Sequence, residues 1–358
     1  MSRQGLPLLC ATLSSRRADD SPWRDLAEKL LEALLQPLEA NADAAGATGA
    51  AGASRGGGLS EGVLSPRPFD AGGGGRVEAL LRTLLHRCCG AEAATTLTAA
   101  AAARLLRLLE RVLGVCSLEA RLWLLPALLR PPCPPQPGRS DEPLSFGGAI
   151  VVQRLLLRCC SAAIRQLKAA PRSDAPGAAA QRQTLAARVA GLHGTVEYCL
   201  AGAARGGLCA GVVADGGFDC VRFVQAADMM IGALSLLRLL TSFAQWQHTQ
   251  DQQADEAVQP KEAAEEGRLS RQQALRSADA RKSFAQDVLA PLRLRVETYV
   301  SALSRLESAA DSRGGDAGPT PMERLGLEGE EGVAQACTTL QMLLQAVEAA
   351  EGALALDC

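Results

Sequence analysis

Leucine spacing sets the pattern along this chain. Trp23, Leu26, Leu30, Leu31, Leu34, Leu35 and Leu38 recur at intervals that place side chains on one stripe of an α-helix. Ser21 stands where an N-cap is needed, Pro22 takes the first helical position, where its missing N–H is harmless, and Pro37 stops the pattern. The same period returns over 76–89 with Val77, Leu80, Leu81, Leu84, Leu85 and Cys88. It returns again from near Thr98 past Leu113, where Leu105, Leu106, Leu108, Leu109, Val112 and Leu113 form the apolar side and Arg104, Arg107 and Arg111 the outer one. Gly114 is a candidate bend, after which helix continues over 118–129.

Further helices are predicted over 148–170 and 178–206. The stretch 220–246 is apolar on most sides, with Phe223, Met229, Met230, Leu234, Leu237, Leu240 and Phe243 among its members, which marks a buried central helix. Helix over 270–310 is interrupted at Pro291, after which Leu292, Val296, Tyr299, Leu303 and Leu306 form a seam. A terminal helix carries Val333, Cys337, Leu340, Leu344, Val347 and Leu354 at the same spacing, and the two seams suit an antiparallel hairpin with coiled-coil-like packing. The Gly-rich stretch 206–217 is the one place left for a short strand or tight turn.

The expected class is therefore all-α: an irregular helical bundle or a short α-solenoid with long disordered loops. In texture, the succession of helix pairs and loops resembles HEAT or armadillo stacking, without a consensus motif or a fixed repeat period. Breaks in the pattern divide the chain. A flexible arm over 1–20 precedes an N-terminal helical region, 21–130, with a disordered insertion at 41–75 whose Gly and Ala runs cannot offset the entropy of ordering. The run Pro131-Pro132-Cys133-Pro134-Pro135 opens a linker over 131–147 that no helix can cross. A central helical region, 148–246, leads through a polar, acidic linker, 247–267, to a C-terminal hairpin, 268–358, with a disordered loop at 311–329.

Charge and composition narrow the function. The 358 residues carry a net charge of -2, so no global basic field steers nucleic acid to the surface, and eleven aromatic residues are few for base stacking. The charge is nevertheless polarised, about +5 over 1–180 and -7 over the remainder. Arg outnumbers Lys 33 to 4 and Asn41 is the only Asn, a signature of GC-rich codons that devalues Arg abundance and Gly runs as functional signals. Two adjacent pairs among the twelve Cys, Cys88–Cys89 and Cys159–Cys160, lie inside apolar helical stretches, which fits thiols in a reducing compartment, cytoplasmic or nuclear. At the N-terminus Arg3, the apolar run 6–13, Arg16 and Arg17 give a weak organellar transit pattern, closed by Asp19 and Asp20. The most apolar run, 229–237, lies between Asp228 and Arg238 and is short of the roughly 18 to 20 residues of a membrane span, so no transmembrane segment is expected.

Motifs of chemistry are sparse. Gly58-Leu59-Ser60-Glu61-Gly62 matches the G-x-S-x-G nucleophile pattern, but no strand precedes it and a Gly-rich segment produces the match by chance. His86, Cys88 and Cys89 raise the question of zinc, yet the chain has no C-x-x-C, and no metal or other cofactor is expected. Only His86, His193 and His248 could supply imidazole, and an enzyme reading would need an apolar pocket that sets His86 or His193 beside a carboxylate. What remains is charge on helix faces. Arg104, Arg107 and Arg111 on one helix, and Arg154, Arg158 and Arg165 on another, are the candidate partner-binding residues. The expected function is a non-catalytic helical scaffold or adaptor that binds other proteins within a larger complex. The alternatives are an organelle-targeted or membrane-surface protein that binds anionic lipid or RNA through those arginines, and an enzyme without a sequence-visible motif.

Overall fold

The Thr98 side chain accepts a hydrogen bond from the Ala101 N–H at 3.3 Å and caps a helix where the sequence marks its start. The computed structural model describes residues 27–36, 74–89, 98–129, 144, 146–169, 176–204, 220–257, 279, 281–311 and 329–355. The arm at 1–20, the Ser21–Pro22 cap, the 41–75 insertion with its G-x-S-x-G match, nearly all of the Pro-rich linker, and 206–217 lie outside these residues. The described residues are almost entirely helical, with no strand among them.

The helices are numbered here in chain order: α1 (27–36), α2 (Gly74–Cys89), α3 (Ala99–Val115), α4 (Leu118–Leu129), α5 (Phe146–Ala169), α6 (Pro176–Gly191), α7 (His193–Ala204) and α8 (Cys220–Ala257). Helix α9 (281–311) joins one α-turn, a π-helical turn at Ala285–Leu289 and the α-helix Ala290–Asp311; α10 is Gly329–Ala355. The chain forms two compact units, Met1–Cys159 and Cys160–Cys358, so the division falls inside α5.

In the first unit α2 packs on α3 and α4. All six apolar positions expected on α2 are buried, as are Leu105, Leu108, Leu109, Val112 and Leu113 of α3. The break between α3 and α4 comes at Cys116–Ser117, and Gly114 stays helical. Ser117 is the cause, because its Oγ accepts from the Ala120 N–H at 3.2 Å and starts a new helix. In α1 the stripe is narrower than its leucines suggest: Ala27, Leu31 and Leu35 are buried, whereas Leu30 is 48% exposed.

In the second unit α8 packs on α10 and α7, and α9 packs on the same two helices, which closes a four-helix arrangement. Phe223 of α8 meets Tyr299 of α9, ring centroids 4.5 Å apart. Helix α8 is buried on most sides, as its pattern implies, and runs on to Ala257, into the stretch that composition marks as linker. The Gln-rich continuation, with Ala254, Glu256 and Ala257, has good helix formers and needs no apolar stripe to extend a helix already started. Pro291 does not interrupt α9. A proline ring clashes with the carbonyl four residues back, and the chain widens just ahead of it: the Ala290 N–H donates to the Ala285 carbonyl, a π-type bond. The hairpin of α9 and α10 is antiparallel, since Arg293 near the start of one reaches Glu348 and Glu351 near the end of the other.

Two helices, Gly147–Ala169 and Ala226–Gln250, are long and apolar enough to cross a membrane, each with a mean hydropathy of 1.4. Counting uninterrupted apolar residues misses them because Arg154, Arg158 and Arg238 break the runs. Of their most apolar windows 44% and 61% are buried inside the protein.

Candidate functional site

Three arginines work inside the fold, each on the last carbonyls of a neighbouring helix, which have no intrahelical donor. The Arg82 Nη2 donates to the Ala127 carbonyl of α4 at 2.7 Å while its Nε holds Glu78 at 3.0 Å. Arg121 donates to the carbonyls of Gly114 and Cys116, at 2.8 Å and 2.9 Å, at the end of α3. Arg182 of α6 donates to the Leu167 carbonyl of α5 at 3.2 Å. A positive charge at these positions also suits the negative end of the helix dipole.

The six arginines expected to bind a partner divide by what they touch. Arg104 turns inward to α1, its Nε 3.0 Å from Glu32 and its Nη1 3.8 Å from Glu28, a buried carboxylate that Arg87 also approaches at 3.7 Å. Arg111 is half-buried. Arg107 on α3 and Arg154 on α5 are exposed and make no ion pair or hydrogen bond among the described residues. Arg158 is 75% exposed and reaches Glu110 of α3 at 3.7 Å, an ion pair that links the two helices. Among the described residues of α3 and of α5 up to Cys159, Arg107, Arg154 and Arg158 thus stand against one exposed carboxylate, Glu110. Arg165, in the second unit, is exposed and donates to the Ser161 carbonyl of its own helix at 3.3 Å.

A second feature lies in the four-helix arrangement of the second unit. A cavity of about 220 Å³ is lined by His193 and Glu197 of α7, Leu237, Thr241 and Ala244 of α8, Arg281 and Phe284 of α9, and Leu354 of α10. His193 reaches it because helix breaks just before it. The Leu192 N–H closes α6 on the Val189 carbonyl at 3.1 Å, and the Leu192 carbonyl accepts from Thr195 and Val196 to start α7. The His193 pKa lies below its ordinary value, chiefly because crowding strips water from the ring and secondarily because of the Arg281 charge. The ring is therefore neutral at pH 7 although the residue remains at the open mouth. Sequence reasoning singled out His193 but missed its companions. Glu197, one helical turn on, was readable from spacing; Arg281 and Phe284 come from a distant segment that no local signal connects.

Among the cysteines, the Sγ atoms of Cys88 and Cys89 are 3.4 Å apart, and the hydrogen bond between them holds the Cys89 thiol below its ordinary pKa and pushes Cys88 well above. Burial raises Cys116 to about 11 and also raises Cys159, where Arg121 opposes it. Among the described residues no three of His, Cys, Asp and Glu are placed to hold a metal ion.

Together these features describe a helical protein of two units, one presenting a basic outer face and the other a small apolar cavity with a charged mouth. No family model, curated protein or solved structure matches the chain.

Proposed function

We propose that this protein is a non-catalytic helical scaffold or adaptor of an intracellular complex, and that Arg107, Arg154 and Arg158 receive an acidic segment of a partner protein. An all-helical chain suits an irregular bundle or a short solenoid of helix pairs, architectures that offer extended rigid surfaces. The observation that carries the reading is the contrast between arginines. Arg82, Arg104, Arg121 and Arg182 satisfy carbonyls or carboxylates of the fold, whereas Arg107 and Arg154 do so with none among the described residues. Exposed guanidiniums without a partner among the described residues favour carboxylate-rich surfaces, for which their forked donors are suited.

The test is charge reversal. Arg107→Glu with Arg154→Glu is expected to leave the helical content and unfolding midpoint near wild type while removing a defined set of partners recovered at physiological ionic strength. Unchanged recovery with a folded double variant contradicts the proposal. Anionic vesicles provide the rival arm: if the wild-type chain sediments with phosphatidylserine vesicles and the double variant does not, lipid rather than protein is the ligand of this face.

A further inference from the structure

The cavity of the second unit has no part in the scaffold reading, and its lining is selective. Leu237, Thr241 and Leu354 are buried and make its floor, Phe284 and Arg281 are half-buried and make its walls, and His193, Glu197 and Ala244 stand exposed at its mouth. The Thr241 hydroxyl donates to the Leu237 carbonyl at 3.0 Å, so its proton is already used and the floor presents mainly carbon. An apolar group belongs there.

The mouth is bipolar. Glu197 makes no hydrogen bond or ion pair among the described residues, Arg281 brings a guanidinium, and the His193 ring adds a neutral donor and acceptor. A simple carboxylate would meet Glu197 unfavourably, and a simple amine would meet Arg281 unfavourably. A zwitterion offers an ammonium to the carboxylate and a carboxylate to the guanidinium. Size sets the other limit, because pockets for drug-sized ligands span roughly 300–1,000 Å³ and this one is smaller. A π-helical turn, Ala285–Leu289, follows Phe284 directly; its extra residue rotates the segment with Arg281 and Phe284 relative to the rest of α9, and such turns recur at functional sites.

We propose that this cavity binds a free α-amino acid with a small apolar side chain, of the leucine or methionine kind. The side chain rests on Leu237 and Leu354, the ammonium faces Glu197, the carboxylate faces Arg281, and His193 hydrogen-bonds the head group.

The experiment is calorimetric titration of the full chain with L-leucine, with leucinamide, which lacks the carboxylate, and with 4-methylpentanoate, which lacks the ammonium. Saturable leucine binding with a Kd below about 1 mM is expected, and both analogues should bind about tenfold more weakly. Glu197→Gln and Arg281→Gln should each weaken leucine about tenfold, and Ala244→Leu, an exposed substitution that leaves the core intact, should abolish binding by filling the mouth. Absence of leucine binding overturns the proposal. So does leucinamide binding as tightly as leucine, which would assign the cavity to a peptide N-terminus, or leucine binding unchanged in the Ala244→Leu variant with native helical content.

Discussion

Gln153 places an amide inside the first unit with neither its Oε1 nor its Nε2 hydrogen-bonded among the described residues. A buried unsatisfied polar group costs roughly 1–3 kcal/mol, while an apolar side chain of similar size at the same place costs nothing in lost hydrogen bonds. Gln153→Leu is therefore expected to stabilise the protein by about 1–2 kcal/mol, read from urea unfolding; destabilisation would mean that the amide has a partner. His193 makes the second prediction at this scale. Its folded pKa is lower than the ordinary 6.5 of the unfolded chain, so the unfolded state binds more protons as pH drops. The associated stability is complete above pH 6.5 and is lost as pH falls through the lower, folded value. His193→Gln should flatten the decline in unfolding midpoint between pH 7 and pH 5, and equal slopes for variant and wild type would contradict the assignment. Single residues also show where sequence reading stops. The Arg excess looks like codon composition, and only coordinates separate Arg82 and Arg121, which close helix ends, from Arg107, which does not.

At the scale of elements, the apolar period was legible wherever large apolar residues line the buried helix face. Helix α2 is the clearest case, with every expected position from Val77 to Cys88 buried. The period loses its exact phase where alanines share the buried face. In α10, which packs on both α8 and α9, the buried line is Ala336, Leu340, Leu343, Val347, Ala350 and Leu354, so Leu343 takes the place that spacing gave to Leu344 and the alanines join in. Runs of leucine hide the phase in α1 as well, since Leu30 and Leu31 both fit a broad stripe. Leu31→Ala should cost about 2–4 kcal/mol and Leu30→Ala less than about 0.5 kcal/mol. Comparable losses in the two variants would mean that α1 is rotated from its described position. Breaks were less legible than helices: Pro291 looked like an interruption because the pattern cannot reveal that a π-helical turn accommodates it.

For the whole molecule, the all-helical class followed from the absence of strand period, and the helices bear it out throughout the described residues. How the helices close on one another was not legible, because Ala- and Leu-rich stripes are compatible with many partners. The contacts of α7, α8, α9 and α10 with one another, and the cavity among them, are therefore visible only in the structure. The two long apolar helices show the same limit from another side, since their composition fits a membrane span and their partial burial, 44% and 61% of the most apolar windows, is seen only in the structure.

The scaffold proposal is tested most directly by affinity purification of the tagged full chain from its own cells, with mass spectrometry of what survives a stringent salt wash. A reproducible, stoichiometric set of protein partners is the expected result. A chain recovered alone, after both the stringent wash and a wash at physiological ionic strength, would contradict it.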